Sequence, residues 1–143
     1  MARLADSKLI KAPIIHDTRG NLSYIESKHQ IPFEIKRIFY IYDIPGGAVR
    51  SGHAHRNLHQ VIFALSGSFD IVLDDGFEDQ RVHLNRAYNG LYLPNMIWRE
   101  LNNFSSGTVC MVLASEIYDA TDYIRSYDEY VNIVNPPSNS IVL

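Results

Sequence analysis

The chain has 143 residues, of which 46% are hydrophobic and 20% charged, and its formal net charge at neutral pH is −3. This composition predicts a single globular domain over residues 1–143, and the small negative charge makes nucleic acid an unfavourable partner. No apolar run approaches the roughly 18 residues of a membrane span. No signal peptide opens the chain, and the lone cysteine, Cys110, lies in an apolar run typical of a core thiol. We expect a cytoplasmic protein with no membrane partner and with flexible ends at residues 1–8 and 136–143.

Short strands separated by turn signals follow one another along most of the chain. Runs of β-branched and aromatic residues alternate with Gly, Pro, Asp and Ser clusters, a spacing typical of an all-β sandwich or barrel. Asp74-Asp75-Gly76 is typical of a hairpin turn, because Asp and Gly tolerate the positive φ that the turn needs. The predicted strands are residues 21–26, 34–44, 58–65, 69–73, 80–84, 90–93, 97–101 and 108–114.

The pattern changes near Tyr118, where a short C-terminal helical segment is predicted. Asp119 or Thr121 is a suitable helix cap, and Pro136-Pro137 ends the segment. We expect its aromatic stripe to serve packing or a subunit contact rather than ligand binding. The apolar residues that recur at helical spacing are Tyr123, Ile124, Tyr127, Tyr130, Val131 and Val134.

Two histidines, His53 and His55, are the most informative residues of the sequence. Residues i and i+2 of a strand face the same way, so two imidazoles should project side by side into one space. This arrangement suits metal binding or a proton relay near neutral pH. His59 has the same parity, so a metal site of three histidines is an alternative if the strand continues unbroken. Otherwise His59 is a partly exposed strand residue.

The segment around these histidines resembles the first cupin motif, which is a glycine, five residues, His-x-His, four residues, a glutamate, six residues and a glycine. Gly47, His53, His55 and Gly67 fit every spacing, but Gln60 stands where the motif has glutamate. The resemblance implies a jelly-roll β-barrel. Its spacing also predicts a bend before Gln60.

The second cupin motif is only partly present. Pro94 and Asn103 fit it, whereas Met96 replaces its second glycine and Arg99 replaces its histidine. In cupins the metal normally takes three histidines and one carboxylate, so Gln60 and Arg99 remove two of four ligands. A guanidinium keeps its proton and repels a divalent cation. We therefore predict a site with no metal and no cofactor.

A closer resemblance covers nearly the whole chain. It is carried by IKRIFY at 35–40, RSGHAH at 50–55, IVLDDG at 71–76, Gly90-Leu91-Tyr92, MVLAS at 111–115 and TDYIR at 121–125. Together these segments resemble the sugar 3,4-ketoisomerases. The resemblance implies a metal-free homodimer with an exchanged N-terminal segment. It also implies conversion of thymidine-diphosphate (dTDP) 4-keto-6-deoxyglucose to its 3-keto isomer, for amination in deoxyaminosugar biosynthesis.

Moving a ketone from C4 to C3 needs a base near the carbons and a proton carrier near the oxygens, and two adjacent histidines can do both. By resemblance, His53 handles the carbon proton and His55 the oxygen side. Arg99, at the lost ligand position, should point at the sugar and stabilise the enediolate. Gln60 is expected beside it as a substrate-binding residue.

The diphosphate needs cationic donors, for which Arg50 is the first candidate and Arg37 the second. Thymine should stack on Tyr40 or Tyr42, with core or interface packing as the alternative role of either tyrosine. Arg19 is a further substrate-binding candidate, or else an ordinary residue of the turn at 17–20. By resemblance, galacto-type enzymes place Arg and His at the positions of Arg19 and Arg99, and gluco-type enzymes place Tyr and Arg. This chain has Arg at both, so the configuration at C4 stays open.

Three rival functions use the same residues differently. A sugar-nucleotide epimerase on the same fold would use similar acid-base groups but leave the ketone in place. A metal-dependent cupin oxygenase would need a bound cation. A binding module would hold the nucleotide sugar without turnover.

Overall fold

A computed structural model describes residues 1–138, and the strands dominate it. They are β1 (Lys8–Lys11), β2 (Ile14–Ile15), β3 (Leu22–Ser23), β4 (Arg37–Ile41), β5 (Arg50–His55), β6 (Gln60–Ser66), β7 (Phe69–Asp74), β8 (Asp79–Leu84), β9 (Asn89–Leu93), β10 (Trp98–Asn102), β11 (Val109–Ala114) and β12 (Tyr123–Ile124). One helix, α1 (Tyr127–Val134), follows them. One five-stranded sheet has the order β1-β9-β6-β11-β4, the other has the order β12-β5-β10-β7-β8, and β2 pairs with β3.

This architecture confirms the predicted all-β jelly-roll class, with the two sheets packed face to face and open at their edges. Each predicted strand corresponds to an observed one, although the segments at 21–26 and 34–44 shorten to β3 and β4. The strands β1, β2 and β12 were not predicted, whereas β5 is the strand expected to carry His53 and His55. The bend expected before Gln60 is confirmed, because β5 ends at His55 and β6 begins at Gln60.

The main apolar core lies between the two sheets, because alternate side chains of each strand face inward. In β7, for example, Phe69, Ile71 and Leu73 are fully buried. Cys110 lies in this core as predicted, and burial raises the pKa of its thiol to about 12. A second cluster, around Phe63, covers the outer face of the first sheet beneath the segment that carries the β2–β3 hairpin.

The C-terminal segment differs from the prediction. Tyr123 and Ile124 form β12, which pairs with β5, so they are not helical. The helix begins only at Tyr127 and is capped by Ser126, whose side chain accepts the N–H of Glu129. Asp119 instead caps the short 3₁₀ turn Ala120–Asp122. Strand pairing with β5 thus takes precedence over the helical spacing of these residues.

The first residues of the chain are packed against the sandwich, unlike the flexible end expected at residues 1–8. Leu4 belongs to the core, and the Asp75 carboxylate accepts hydrogen bonds from the Leu4 backbone N–H (2.9 Å) and the Arg3 side chain (3.0 Å). The same carboxylate accepts the N–H groups of Phe77 and Glu78 in the β7–β8 turn. Of the expected C-terminal flexible end, residues 139–143 lie outside the described range. Within that range no helix is long and apolar enough to span a bilayer.

Candidate active site

A β-bulge in β5 places functional side chains on one face of the sheet. In the pairing of β5 with β10, His53 opposes Arg99 and Arg50 opposes Leu101, so two residues of β5 stand opposite Glu100 alone. On a regular strand Arg50 and His53, three residues apart, would face opposite sides. The bulge turns both into the same cavity, which has a volume of about 430 Å³. Gly52 lies in the bulge, where an added Cβ would be 2.5 Å from the Trp98 ring.

The two histidines are side by side, as the sequence predicts. Their Nε2 atoms are 3.1 Å apart, with the rings nearly perpendicular. His53 lines the cavity, whereas His55 is fully buried behind it and hydrogen-bonds through Nδ1 to Asp122 (2.9 Å). Burial, followed by the positive charges of Arg99, His53 and Arg37, lowers the pKa of His55 to about 2. His55 is therefore neutral at physiological pH.

Arg99 stands at the position of the histidine ligand of the second cupin motif. Its guanidinium is buried, donates to the Gln60 side-chain oxygen, and donates twice to the Ile97 carbonyl at 3.1 and 3.0 Å. Burial lowers the pKa of Arg99 to about 10, which still leaves it charged at neutral pH. The positions that hold a cation in cupins therefore contain two imidazoles, an amide and a positive charge, a donor set that does not fit a divalent metal.

The cavity is strongly cationic. Arg50, Arg99 and Arg125 all line it, and no acidic residue of the described chain is among its lining residues. Arg37 lies on the same face of β4 as the cavity residue Phe39, with its guanidinium carbon 5.1 Å from that ring. The Nε and Nη2 atoms of Arg37 are buried without a hydrogen-bond partner. Such a surface favours an anionic ligand.

Three predicted substrate-binding residues lie away from this cavity. The rings of Tyr40 and Tyr42 contact each other with a tilt of 34° on the outer side, and both side chains are largely exposed. Arg19 is exposed in the turn between β2 and β3, where it forms an ion pair with Asp17. His59 also lies outside the cavity, because β5 ends before it, and its Nδ1 hydrogen-bonds to the Tyr92 hydroxyl at 2.8 Å.

The sequence interpretation missed Tyr123 and Arg125 as cavity residues. The Tyr123 ring lies 4.5 Å from the His55 ring and 5.2 Å from the His53 ring, and the Arg125 guanidinium lies 4.4 Å from the Tyr123 ring centre. The signal was the TDYIR segment, whose residues resemble the family pattern. Assigning this segment to a helix concealed that Tyr123 lies in β12 beside β5 and that Arg125 follows directly after this strand.

Comparison with known proteins agrees with this geometry. The family model described as "FdtA: WxcM-like, C-terminal" matches residues 5–135. A TDP-4-oxo-6-deoxy-alpha-D-glucose-3,4-oxoisomerase from Aneurinibacillus thermoaerophilus is 46% identical over 125 residues, which cover 87% of this chain and 90% of that protein. The chain belongs to the sugar 3,4-ketoisomerase family. It is therefore an isomerase, and the epimerase and oxygenase alternatives are set aside.

Solved 3,4-ketoisomerases have the same architecture. The TDP-quinovose 3,4-ketoisomerase WlaRB of Campylobacter jejuni is 45% identical, with a TM-score of 0.87 over 90% of this chain and 99% of that one. The enzyme QdtA of Thermoanaerobacterium thermosaccharolyticum, in complex with TDP, is 44% identical, with a TM-score of 0.89 over 92% and 96% of the two chains. A histidine-to-asparagine mutant of QdtA forms a complex with TDP-4-keto-6-deoxyglucose.

Proposed function

We propose that this 3,4-ketoisomerase converts dTDP-4-keto-6-deoxyglucose into a dTDP-3-keto-6-deoxyhexose by histidine acid-base catalysis. The observation that supports it is the cationic cavity in which His53 is exposed to a ligand while His55 touches it from behind. Relatives that bind TDP and this keto sugar support the choice of substrate. The observations give no support to a passive binding module, because binding alone needs no paired imidazoles.

The chemistry follows from the acidity of a hydrogen next to a ketone. His53 takes the C3 proton, and the electrons form an enediol shared by C3 and C4. A proton returned to C4 leaves the ketone at C3, and the oxygens exchange a proton in the same sequence. His55 does not line the cavity, so we propose that it acts through its hydrogen bond with His53 rather than directly on the sugar oxygens. Such positioned groups contribute about 10² to 10⁴-fold in rate.

Arg99 is placed to stabilise the enediolate that forms. It lines the cavity opposite His53, and its bonds to Gln60 and the Ile97 carbonyl hold the guanidinium in a fixed orientation. A preorganised positive charge in a buried site stabilises a developing anion without reorganising during the reaction. Gln60 thus contributes to the site mainly by orienting Arg99.

The decisive experiment is incubation of the protein with dTDP-4-keto-6-deoxyglucose in deuterium oxide, followed by NMR. We expect a 3-keto product that carries deuterium at C4, because the proton returned to that carbon exchanges with solvent at a histidine. The same spectrum assigns the configuration at C4. An epimerised 4-keto product, or no conversion by pure folded protein, would contradict the proposal.

We propose that Arg50 and Arg125 bind the diphosphate at the mouth of the cavity, with Arg37 as a further donor. For Arg50→Ala or Arg125→Ala we expect KM and the Kd for TDP to rise about 10- to 100-fold, since a hydrogen bond to a charged group contributes about 1.5–3 kcal/mol. The value of kcat should change little. Titration with TDP and steady-state kinetics measure both. The matched control is Arg86→Ala, an exposed arginine outside the cavity, and equal losses in the control would refute the assignment.

We also propose a homodimer in which the N-terminal segment is exchanged. Apolar side chains are exposed on the outer face of β4, where Ile38 is 56% and Tyr40 62% accessible, and they adjoin an apolar groove beside the β2–β3 hairpin. A contiguous apolar patch of this kind is typical of an interface. Tyr40, and Arg19 at the hairpin turn, would then act at or near the partner's site, and Tyr42 lies beside Tyr40.

Light scattering should therefore give twice the mass of one chain, and Ile38→Asp/Tyr40→Asp should give monomers, because buried charges destabilise an interface. Gln80→Asp, on the exposed strand β8 of the other sheet, is the control. Co-expression of Arg19→Ala with His53→Asn tests the exchange. If Arg19 serves the partner's site, the mixed dimer has one intact site and regains activity, whereas no recovery would place Arg19 in its own subunit's site.

The reaction has a place in deoxysugar biosynthesis. A ketone at C3 is the electrophile that an amination reaction consumes, so we propose that the product supplies a 3-amino sugar. We further propose the cytoplasm as the location, which a single buried cysteine with no disulfide partner supports.

A further inference from the structure

We propose that Asp122 is a positioning residue that holds His55 in the Nδ1–H tautomer and so directs proton transfer through His53. This inference rests on the proposed function. A chain of contacts lies behind the cavity. In it, Asp122 Oδ2 is 2.9 Å from His55 Nδ1, and His55 Nε2 is 3.1 Å from His53 Nε2. Asp122 was not among the site residues predicted from the sequence.

The tautomer of His55 follows from the hydrogen inventory of these groups. An ionised carboxylate only accepts hydrogen bonds, so the Nδ1 of a neutral His55 must carry the proton and donate it. The lone pair of His55 is then on Nε2, and a contact between two ring nitrogens needs one donor. His53 must therefore donate from its own Nε2–H, which leaves the lone pair of a neutral His53 on Nδ1.

This arrangement sets the direction of the relay. When His53 takes the substrate proton on Nδ1, it becomes an imidazolium whose Nε2–H already points at the lone pair of His55. The C3–H bond breaks and its electron pair forms the C3=C4 bond of the enediolate, while the proton stays on His53, whose Nε2–H donates to the lone pair of His55. The C4–H bond forms when His53, after exchange with solvent, returns a proton to C4. In the same sequence the C3 hydroxyl proton passes to the C4 oxygen, so the ketone moves to C3. No oxidant or cofactor is needed for this balance.

Asp122 is itself rigidly held. Its Oδ1 accepts the Asn57 backbone N–H at 2.7 Å, and its carbonyl accepts the Arg56 N–H at 2.9 Å. The next residue, Tyr123, pairs with His55 across β12 and β5. The backbone on both sides of the Asp122–His55 contact is thus hydrogen-bonded. This pairing fixes the position of the carboxylate relative to the imidazole.

The same contacts make Asp122→Asn a sharp test. The Asn57 N–H holds the side-chain oxygen, so the amide NH₂ must face His55 Nδ1 and turn that nitrogen into an acceptor. His55 then carries its proton on Nε2, pointing at His53 Nε2. We expect kcat to fall about 10² to 10⁴-fold, with KM and TDP affinity unchanged. Asp119→Asn is the matched control, because Asp119 caps the same turn through Thr121 without contacting a histidine.

Nitrogen-15 NMR of the imidazoles supplies a measurement that loss of structure alone would not imitate. In the wild-type protein the His55 proton should be on Nδ1, and in Asp122→Asn on Nε2. A wild-type proton on Nε2, or an Asn variant with unchanged kcat, would overturn the inference. The wild-type tautomer decides the first point even if the variant fails to fold. A wild-type protein with the expected tautomer but no isomerase activity would instead refute the proposed function.

Discussion

Replacing His53 by asparagine should lower kcat about 10² to 10⁴-fold while leaving the affinity for TDP unchanged. Asparagine has no group that accepts a proton at neutral pH, so C3 loses its base. The diphosphate contacts proposed for Arg50 and Arg125 are not altered by the change. Product formation followed by NMR measures kcat, and calorimetric titration with TDP measures binding.

The matched control is His59→Asn. Like His53, His59 is partly buried. Its Nδ1 hydrogen-bonds to the Tyr92 hydroxyl, and it does not line the cavity. It should retain wild-type kcat. If His53→Asn retained activity, His53 would not be the base. If it failed to fold or to bind TDP, the two histidines would have a structural rather than catalytic role.

The second large effect concerns the predicted absence of a metal. The double variant Gln60→Glu/Arg99→His restores three imidazoles and one carboxylate around the cavity, and it removes the guanidinium. Repulsion between the guanidinium charge and a divalent cation at about 4 Å corresponds to about 8 kcal/mol at an effective dielectric constant of about 20. We therefore expect the Kd for Zn²⁺ or Mn²⁺ to fall by at least about 10³-fold, measured by calorimetry and elemental analysis.

The single variant Gln60→Glu is the control for this experiment. It supplies the carboxylate but keeps Arg99, which already bonds the side chain at position 60 and would form an ion pair with the new group. It should not acquire a tight metal site. Equally tight binding by the wild-type protein would show that the guanidinium does not exclude a cation.

Much of the fold could be predicted because buried strands leave a plain signal. The alternation of Phe69, Ile71 and Leu73 with polar or outward residues identifies β7 without any knowledge of its neighbours. Tyr123 and Ile124 show the opposite case, because their spacing fits a helix as well as a strand. Only hydrogen bonding to β5, a contact about 70 residues away in the chain, decides between them.

In the site, too, features encoded locally in the sequence could be predicted, and features that depend on contacts between distant segments could not. The side-by-side placement of His53 and His55 needs only the parity of a strand, and the convergence of Arg99 and Gln60 needs only the spacing of known motifs. Tyr123 and Arg125 could not be placed before the pairing of β12 was known. Buried Asp122 reaches His55 from 67 positions along the chain, a proximity that no local pattern encodes.

The extra residue in β5 makes the orientation of Arg50 independent of the positions of His53 and His55 on the same strand. If β5 paired with β10 without the bulge and kept all its residues, Arg50, three residues from His53, would face the opposite side of the sheet, while the histidines stay registered against β10 and β12. If Arg50 binds the diphosphate as we propose, recognition of the nucleotide can change through the pairing of the first half of β5 alone. The second half of the strand keeps His53 and His55 in place during such a change. The ligand contacts of β5 can therefore vary while its two imidazoles keep their geometry.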